Sequence, residues 1–226
     1  MKHNLENFDW GPTSEWFRIE STKEIFETRE NYENNDYERI FQVEEGDIVV
    51  DIGSSVGEFP YSILGKNPKH IYVVEPLGIF FDTLKKNLEG HQVSFTNAAI
   101  SSERFLKISW DGHEQEIRTL TFKEFLDQNR LTKIDFLKVE CEGGEYDVFS
   151  ENNIPFLKTV PKIATEVHLK DKLMKEKFRI LRDIILPNFE NYNFYSVDGC
   201  SIDWDLGNEH FIEYYQEVML YIDNRN

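Results

Sequence analysis

An apolar run that ends in a glycine-containing turn, DIVVDIGSSVGEF (residues 47–59), narrows the choice of fold more than any other stretch. The run predicts a buried β-strand, and the turn leads into a helix predicted from about Glu58 to Leu64. Strand and helix sequences then alternate along the chain, and the strand sequences are continuously apolar. Such strands are typical of a parallel sheet covered by helices on both faces. The sequence therefore predicts an α/β fold.

The remaining elements follow from the same patterns. Strands are predicted over residues 70–76, 92–100, 134–140, 162–169, 191–198 and 217–223, with a short extra strand over 104–110. Helices are predicted over 76–90, over 119–131 with Thr119 or Thr121 as the cap, and around the stripe Met174, Phe178, Leu181 and Ile185.

The parts between these elements are polar. Residues 110–116 and 197–211 are predicted to be exposed loops that could help to select a substrate. Residues 1–40 have helical spacing and are predicted to form an N-terminal cap or lid. With 226 residues and no internal repeat, we expect a single domain over residues 1–226.

Charge and composition exclude several classes of partner. The net charge is −17, whereas a nucleic-acid site needs a basic surface, so we expect no nucleic-acid partner. No apolar stretch reaches the roughly 20 residues of a membrane helix, and no signal peptide is recognisable. We therefore expect no membrane insertion. The two cysteines, which lack zinc-binding spacing, are typical of a reduced intracellular protein, so we expect a cytoplasmic location. The oligomeric state is not indicated.

The turn after the first strand has the sequence of a nucleoside-binding site, but not of a diphosphate-binding one. It lacks the lysine of a P-loop, and Ser55 stands where a dinucleotide fingerprint has its second glycine. Asp51 and Glu58 would repel a pyrophosphate and would suit a cationic centre. Glu75, 22 residues after Gly53, is spaced to accept both hydroxyls of a ribose. S-adenosylmethionine, a nucleoside with a sulfonium, is therefore the predicted cofactor.

The chain resembles the FkbM-type family of class I S-adenosylmethionine-dependent methyltransferases. The resemblance rests on EEGDIVVDIGSSVGEF (44–59), IYVVEP (71–76), IDFLKVECEGGEYDVF (134–149) and PKIATEVH (161–168). It implies a Rossmann-like sandwich with a seven-stranded, mostly parallel sheet whose last strand is antiparallel. It also implies O-methylation of a small-molecule or glycan hydroxyl as the activity.

The resemblance also implies roles for individual residues around the cofactor. Asp51, Gly53 and Gly57 would contact the methionine portion, Glu75 the ribose, and Asn97 with Ala98 the adenine edge. The same predicted site includes Ser54, Ser55, Glu58, Phe59 and Pro76. The family usually has Ala-Asn at 54–55 and Asp at 140, where this chain has two serines and Glu140.

Transfer to a hydroxyl also needs a general base. The candidates at the ends of the fourth and fifth strands are Glu140, Glu142, Glu166 and His168. Alternation places Glu166 with His168 on one side of a strand, and likewise Glu140 with Glu142 if their strand continues that far. His168 has a suitable ordinary pKa, and Glu140 is the other main candidate for the base or an acceptor anchor.

Some alternatives remain open from the sequence. Glu142 could cap the following helix, and Glu166 could be structural. A Mg²⁺ ion on Glu140, Glu142 and His168 is conceivable, although no metal is predicted. The alternative functions are a nicotinamide-dependent oxidoreductase and a non-catalytic protein that retains the fold.

Overall fold

The computed structural model describes residues 36–110 and 113–225. The predicted N-terminal cap lies outside the described residues except for its last positions, of which Asp36–Glu38 form a 3₁₀ turn. No helix in the described ranges is both long enough and apolar enough to span a bilayer.

The seven strands of the main sheet lie where the apolar runs predict them, and three further strands in the described part of the chain form a second sheet. They are β1 (Ile48–Ile52), β2 (His70–Val74), β3 (Val93–Thr96), β4 (Ala99–Ile100), β5 (Phe105–Trp110), β6 (His113–Leu120), β7 (Phe136–Val139), β8 (Lys162–His168), β9 (Tyr192–Tyr195) and β10 (Glu217–Asp223). Within the described residues, one seven-stranded sheet has the order β3-β2-β1-β7-β8-β10-β9. β1, β2 and β3 pair in parallel, as do β7 and β8, whereas β10 runs antiparallel to β8 and β9. The predicted α/β sheet with an antiparallel last strand is confirmed.

Short helices connect the strands. They are α1 (Glu58–Ser62), α2 (Gly78–Asn87), α3 (Phe122–Gln128), α4 (Glu145–Val148), α5 (Ile154–Leu157), α6 (Lys172–Ile180) and α7 (Glu209–Tyr214). Of the two predicted caps, Thr121 starts α3 and forms a capping box with Glu124. A π-helical turn, Leu181–Ile185, continues the predicted stripe beyond α6.

The predicted third strand is too long. It ends at Thr96, and residues 99–100 belong to a separate three-stranded sheet of order β4-β6-β5. The break falls at Asn97, whose side-chain amide donates to the backbone carbonyls of Glu75 and Pro76, at 2.9 and 3.1 Å.

Both predicted loops contain regular structure. Most of residues 110–116 lies in the antiparallel hairpin of β5 and β6, which pairs Phe105 with Arg118. Sequence reasoning missed this hairpin because β6 is mostly polar. The 197–211 segment contains the start of α7, because Asn208 caps that helix and Phe211 supplies a buried side chain.

The described chain divides into two compact units. One comprises the described residues up to Ala99 with Glu103–Thr119, and the other comprises Ile100–Ser102 with the described residues from Leu120 onward. The core of the first includes Val49, Val50, Ile71, Val73 and Leu84, and that of the second includes Leu137, Val167, Phe178, Phe194 and Leu220. The expectation of a single domain stays a prediction.

Candidate functional site

The glycine-containing turn after β1 is tied to the end of β2. The backbone amides of Gly53 and Ser54 donate to the Val74 carbonyl at 2.9 and 3.0 Å. The amide of Ser55, a residue with φ of 47°, donates to Glu75 Oε2 at 2.9 Å. Several amides that could have met a ligand carboxylate therefore bond to the end of β2. These bonds fasten the turn to the end of β2.

The Glu75 carboxylate joins the turn after β1 to the segment that follows β2. Its side chain is buried, and its second oxygen, Oε1, accepts from the Leu77 amide at 2.8 Å. A carboxylate has about four acceptor positions, so two backbone donors do not by themselves exhaust it. Asn97 holds the backbone at Glu75 and Pro76 from the other side. The predicted ribose and adenine residues thus lie together beside the turn, which fits a nucleoside.

Gly57 is required for packing as well as for its backbone conformation. Its φ is +96°, in the left-handed region, and a Cβ atom there would lie 2.7 Å from Leu84 Cδ1 of α2. The close approach explains why the turn has a glycine here. Its side-chain position faces α2, and the predicted contact with methionine would have to come from its backbone.

The other predicted cofactor residues differ in how accessible they are. Asp51 and Ala98 are fully buried, and the Ser54 hydroxyl donates to the Asp51 carbonyl at 3.0 Å. Phe59 is buried and packs edge-to-face on Tyr37, with ring centroids 5.7 Å apart. Glu58, the first residue of α1, is partly exposed, as are Gly53, Ser55 and Pro76.

In the second unit, the strand does not continue far enough to place Glu140 and Glu142 on one face. β7 ends at Val139, and Glu142 has a left-handed φ of 50° in the turn that follows. Glu140 instead pairs with the buried amine of Lys138, whose Nζ lies 3.0 Å from its carboxylate. The N-cap position of α4 is Gly144 rather than Glu142. The Glu142 carboxylate bonds to Lys170 Nζ at 2.7 Å.

His168 is the centre of the catalytic candidates. The residue is 1% exposed, and its Nε2 lies 3.2 Å from Glu166 Oε1 and 3.5 Å from Glu142 Oε2. Glu166 and His168 thus lie on one side of β8, as their spacing predicts. The Glu166 side chain keeps 18% of its surface exposed.

Two residues that sequence reasoning missed hold His168 in place. Glu145 Oε1 lies 3.2 Å from His168 Nδ1 and accepts from the His168 backbone amide at 2.8 Å. The hydroxyl of Tyr146 donates to the His168 carbonyl at 2.6 Å. An acid in the first turn of a helix is usually a solvated group that interacts with the helix dipole, so the sequence contains no signal that Glu145 is buried.

These contacts set the charge of the site. Burial alone lowers the pKa of His168, but hydrogen bonds to Glu145 and Glu166, and their charges, outweigh it and raise the pKa to about 10. The imidazole is therefore protonated at neutral pH. Burial raises the pKa of Glu166 above its usual range, and the hydrogen bond from His168 opposes part of the rise.

One group of side chains has the spacing of a metal site. Donor atoms of Glu166, His168 and Glu217 all lie within 4.8 Å of one another, a set that differs from the one conceivable from the sequence. These carboxylates already have cationic partners, because His168 faces Glu166 and Lys170 Nζ lies 3.6 Å from Glu217. The group therefore needs no ion to balance its charge, and the absence of a metal stays a prediction.

The fold is shared with methyltransferases of known structure. A proposed S-adenosylmethionine-dependent methyltransferase from Listeria monocytogenes has a TM-score of 0.54 at 7% identity, over 87% of this chain and 99% of the other. A proposed rRNA methylase from Clostridium thermocellum has a TM-score of 0.51 at 8% identity, over 84% and 95%. At these identities the likeness concerns the fold alone. Among curated proteins, no match to the chain is found.

The family is shown by the sequence itself. The model of the FkbM methyltransferase domain matches residues 6–195, which is most of the chain. This match favours a methyltransferase over the alternatives of a nicotinamide-dependent oxidoreductase and a non-catalytic protein. The chain belongs to the FkbM methyltransferase family and is an S-adenosylmethionine-dependent methyltransferase.

Proposed function

We propose that this enzyme methylates a hydroxyl group of a sugar or another small molecule. The observation that carries the proposal is the pair of Glu166 and His168, in which a partly exposed carboxylate faces a buried imidazole at 3.2 Å. A hydroxyl is a poor nucleophile until a base removes its proton, and a carboxylate with a raised pKa is better suited to that role than an ordinary one.

The pair also divides the roles between its members. His168 is protonated, so its ring has no lone pair with which to accept a proton, and this supports Glu166 as the base. The imidazolium donates to one oxygen of Glu166, orients the carboxylate and favours its ionised form. Glu140 and Glu142, which pair with Lys138 and Lys170, are proposed to contact the acceptor rather than to remove its proton.

The cofactor supplies an electrophilic methyl group on a sulfonium, and the residues around the turn after β1 are proposed to bind it. Glu75 would accept the ribose hydroxyls, and its bonds to the backbone of Ser55 and Leu77 keep its carboxylate oriented. The turn and the start of α1 would surround the methionine portion with Asp51, Gly53, Ser54, Ser55, Gly57, Glu58 and Phe59. Pro76, Asn97 and Ala98 would lie along the adenine.

The charge of the chain supports a small acceptor over a nucleic acid. With a net charge of −17, the protein would repel a phosphate backbone, which dominates the affinity of proteins for RNA. Cys141 and Cys200 are free thiols, which agrees with action in the cytoplasm.

The proposal is tested by following label from methyl-labelled S-adenosylmethionine into a panel of sugars, hydroxylated small molecules and RNA oligonucleotides. We expect label in a hydroxylated small molecule, and Glu166→Gln should lower the transfer rate by about 10²- to 10⁴-fold, which is the usual contribution of a general base. Glu176→Gln, on the exposed face of α6, is the matched control and should keep the wild-type rate. Labelled RNA with unlabelled small molecules would refute the acceptor class, and full activity of Glu166→Gln would refute the base.

A further inference from the structure

We propose that Glu145 is a positioning residue of this active site, which holds the His168 imidazole so that Nε2–H points at the Glu166 carboxylate. The inference rests on the proposed function, since it concerns the same base. It adds a residue that neither the strand pattern nor the ends of the strands predicted.

The first argument is the set of contacts that Glu145 makes. Oε1 meets both the backbone amide and Nδ1 of His168, at 2.8 and 3.2 Å, and Oε2 accepts from the Gly143 amide at 2.8 Å. One carboxylate thus joins the turn after β7 to the last residue of β8. Because Nδ1–H is bonded to Glu145, rotation of the ring is restricted and the opposite nitrogen is directed at Glu166.

The second argument is burial. Glu145 has no exposed surface, and a carboxylate without water is strongly destabilising unless it is paired and hydrogen-bonded. Three donors surround this one, and the imidazolium provides the opposite charge. The charge on Glu145 is therefore tied to the charge on His168, so removing one destabilises the other.

The groups that face His168 come from several elements. Glu142 lies in the turn after β7, Glu166 is on β8, and Glu217 is the residue of β10 that pairs with His168 across the sheet. Lys170, which bonds to Glu142 and lies near Glu217, is the cation that opposes them. Glu145 contacts Nδ1, whereas Glu142 and Glu166 lie near Nε2, so Glu145 holds the ring from the side opposite the proposed base.

The arrangement has the logic of a catalytic triad, in which a buried acid orients a histidine that in turn acts on a third group. Here the third group is the Glu166 carboxylate. With one oxygen bonded to the imidazolium, Glu166 presents its carboxylate to an acceptor hydroxyl in a fixed orientation. Glu166 would take the proton of the acceptor hydroxyl as its oxygen bonds to the methyl group, which the cofactor would supply and release from its sulfur.

The kinetics of Glu145→Gln distinguish a residue that orients the His168 ring from one that only stabilises the turn after β7. The amide keeps the shape of the side chain but removes its charge. We expect kcat to fall by about 10- to 100-fold with little change in the KM for S-adenosylmethionine, and the high-pH limb of the rate profile to move to lower pH. Glu176→Gln is the matched control, because it makes the same change of charge on the exposed face of α6, away from the ring, and it should keep the wild-type pH profile. A wild-type pH profile in Glu145→Gln would overturn the proposal.

A measurement on the wild-type chain does not depend on whether Glu145→Gln folds or on which acceptor is used. Long-range ¹H–¹⁵N NMR spectra report the protonation of each imidazole nitrogen, and His168→Gln assigns the signals. We expect both nitrogens of His168 to be protonated at pH 7.5. A neutral ring at that pH would overturn the proposal, whereas failure to find a hydroxylated acceptor would refute only the proposed function.

Discussion

Replacement of Gly57 by alanine tests how the turn after β1 is held. In the left-handed region a residue with a side chain costs about 1–2 kcal/mol. The new methyl group would also lie 2.7 Å from Leu84 Cδ1, and Leu84 is fully buried, so its side chain has little room to move away. Overpacking of this kind costs about 1–3 kcal/mol. The free energy of unfolding should therefore fall by about 2–5 kcal/mol.

Gly46 provides the matched control. Its φ is +85°, but a Cβ atom built there meets nothing within 4 Å. Gly46→Ala should thus lower the free energy of unfolding by the conformational part alone, about 1–2 kcal/mol. The difference between the two variants measures the contact with Leu84.

Urea unfolding of both variants gives the comparison, with the m-value as a check that the transition has not changed its nature. The double variant Gly57→Ala/Leu84→Ala should be more stable than the sum of the single changes predicts, because the smaller side chain leaves room for the methyl group. Equal destabilisation by Gly46→Ala and Gly57→Ala, or strict additivity of the double variant, would refute the packing argument.

Three further predictions concern the two candidate sites. Glu75→Gln should weaken binding of S-adenosylmethionine by about 10- to 100-fold in calorimetry, because one backbone amide, of Ser55 or Leu77, loses its acceptor. The control Glu89→Gln changes an exposed residue and should bind the cofactor with the wild-type affinity. Equal affinities of the two variants would contradict the role of Glu75. The pKa of His168 is higher in the folded protein than its ordinary value of 6.5, so its contribution to stability is complete below pH 6.5 and is lost as pH rises toward about 10. The free energy of unfolding should decline more steeply over that range in the wild type than in His168→Gln, and parallel declines would count against the buried imidazolium. Methyl transfer should be unaffected by EDTA, since the carboxylates around His168 have cations of the protein's own; loss of activity that Mn²⁺ restores would show that a metal acts there.

Much of the fold could be predicted because its information is local. Apolar runs such as residues 47–53 and 162–169 predict buried strands wherever they occur, and the Thr121 capping box needs only the residues up to Glu124. The hairpin of β5 and β6 was missed for the opposite reason. Its second strand is mostly polar and is recognised only through its pairing partner.

In the candidate site, too, local sequence predicts some features and the fold decides others. The spacing of Gly53 and Glu75 predicts a nucleoside site, because both residues lie directly after strands whose positions the apolar pattern indicates. The separation of Glu140 from Glu142 could not be foreseen, since it depends on where β7 ends and on the left-handed conformation of Glu142.

The sequence by itself determined the order of the strands along the chain, the turn that follows the first of them and the family to which the enzyme belongs. Only the tertiary structure decided which acid orients His168 and what charge that imidazole carries. Glu145 and His168 are 23 residues apart, and neither has a local pattern that points to the other. The pattern of apolar residues along the chain indicates which positions are buried. The pKa of a buried group instead depends on charges that only folding brings together.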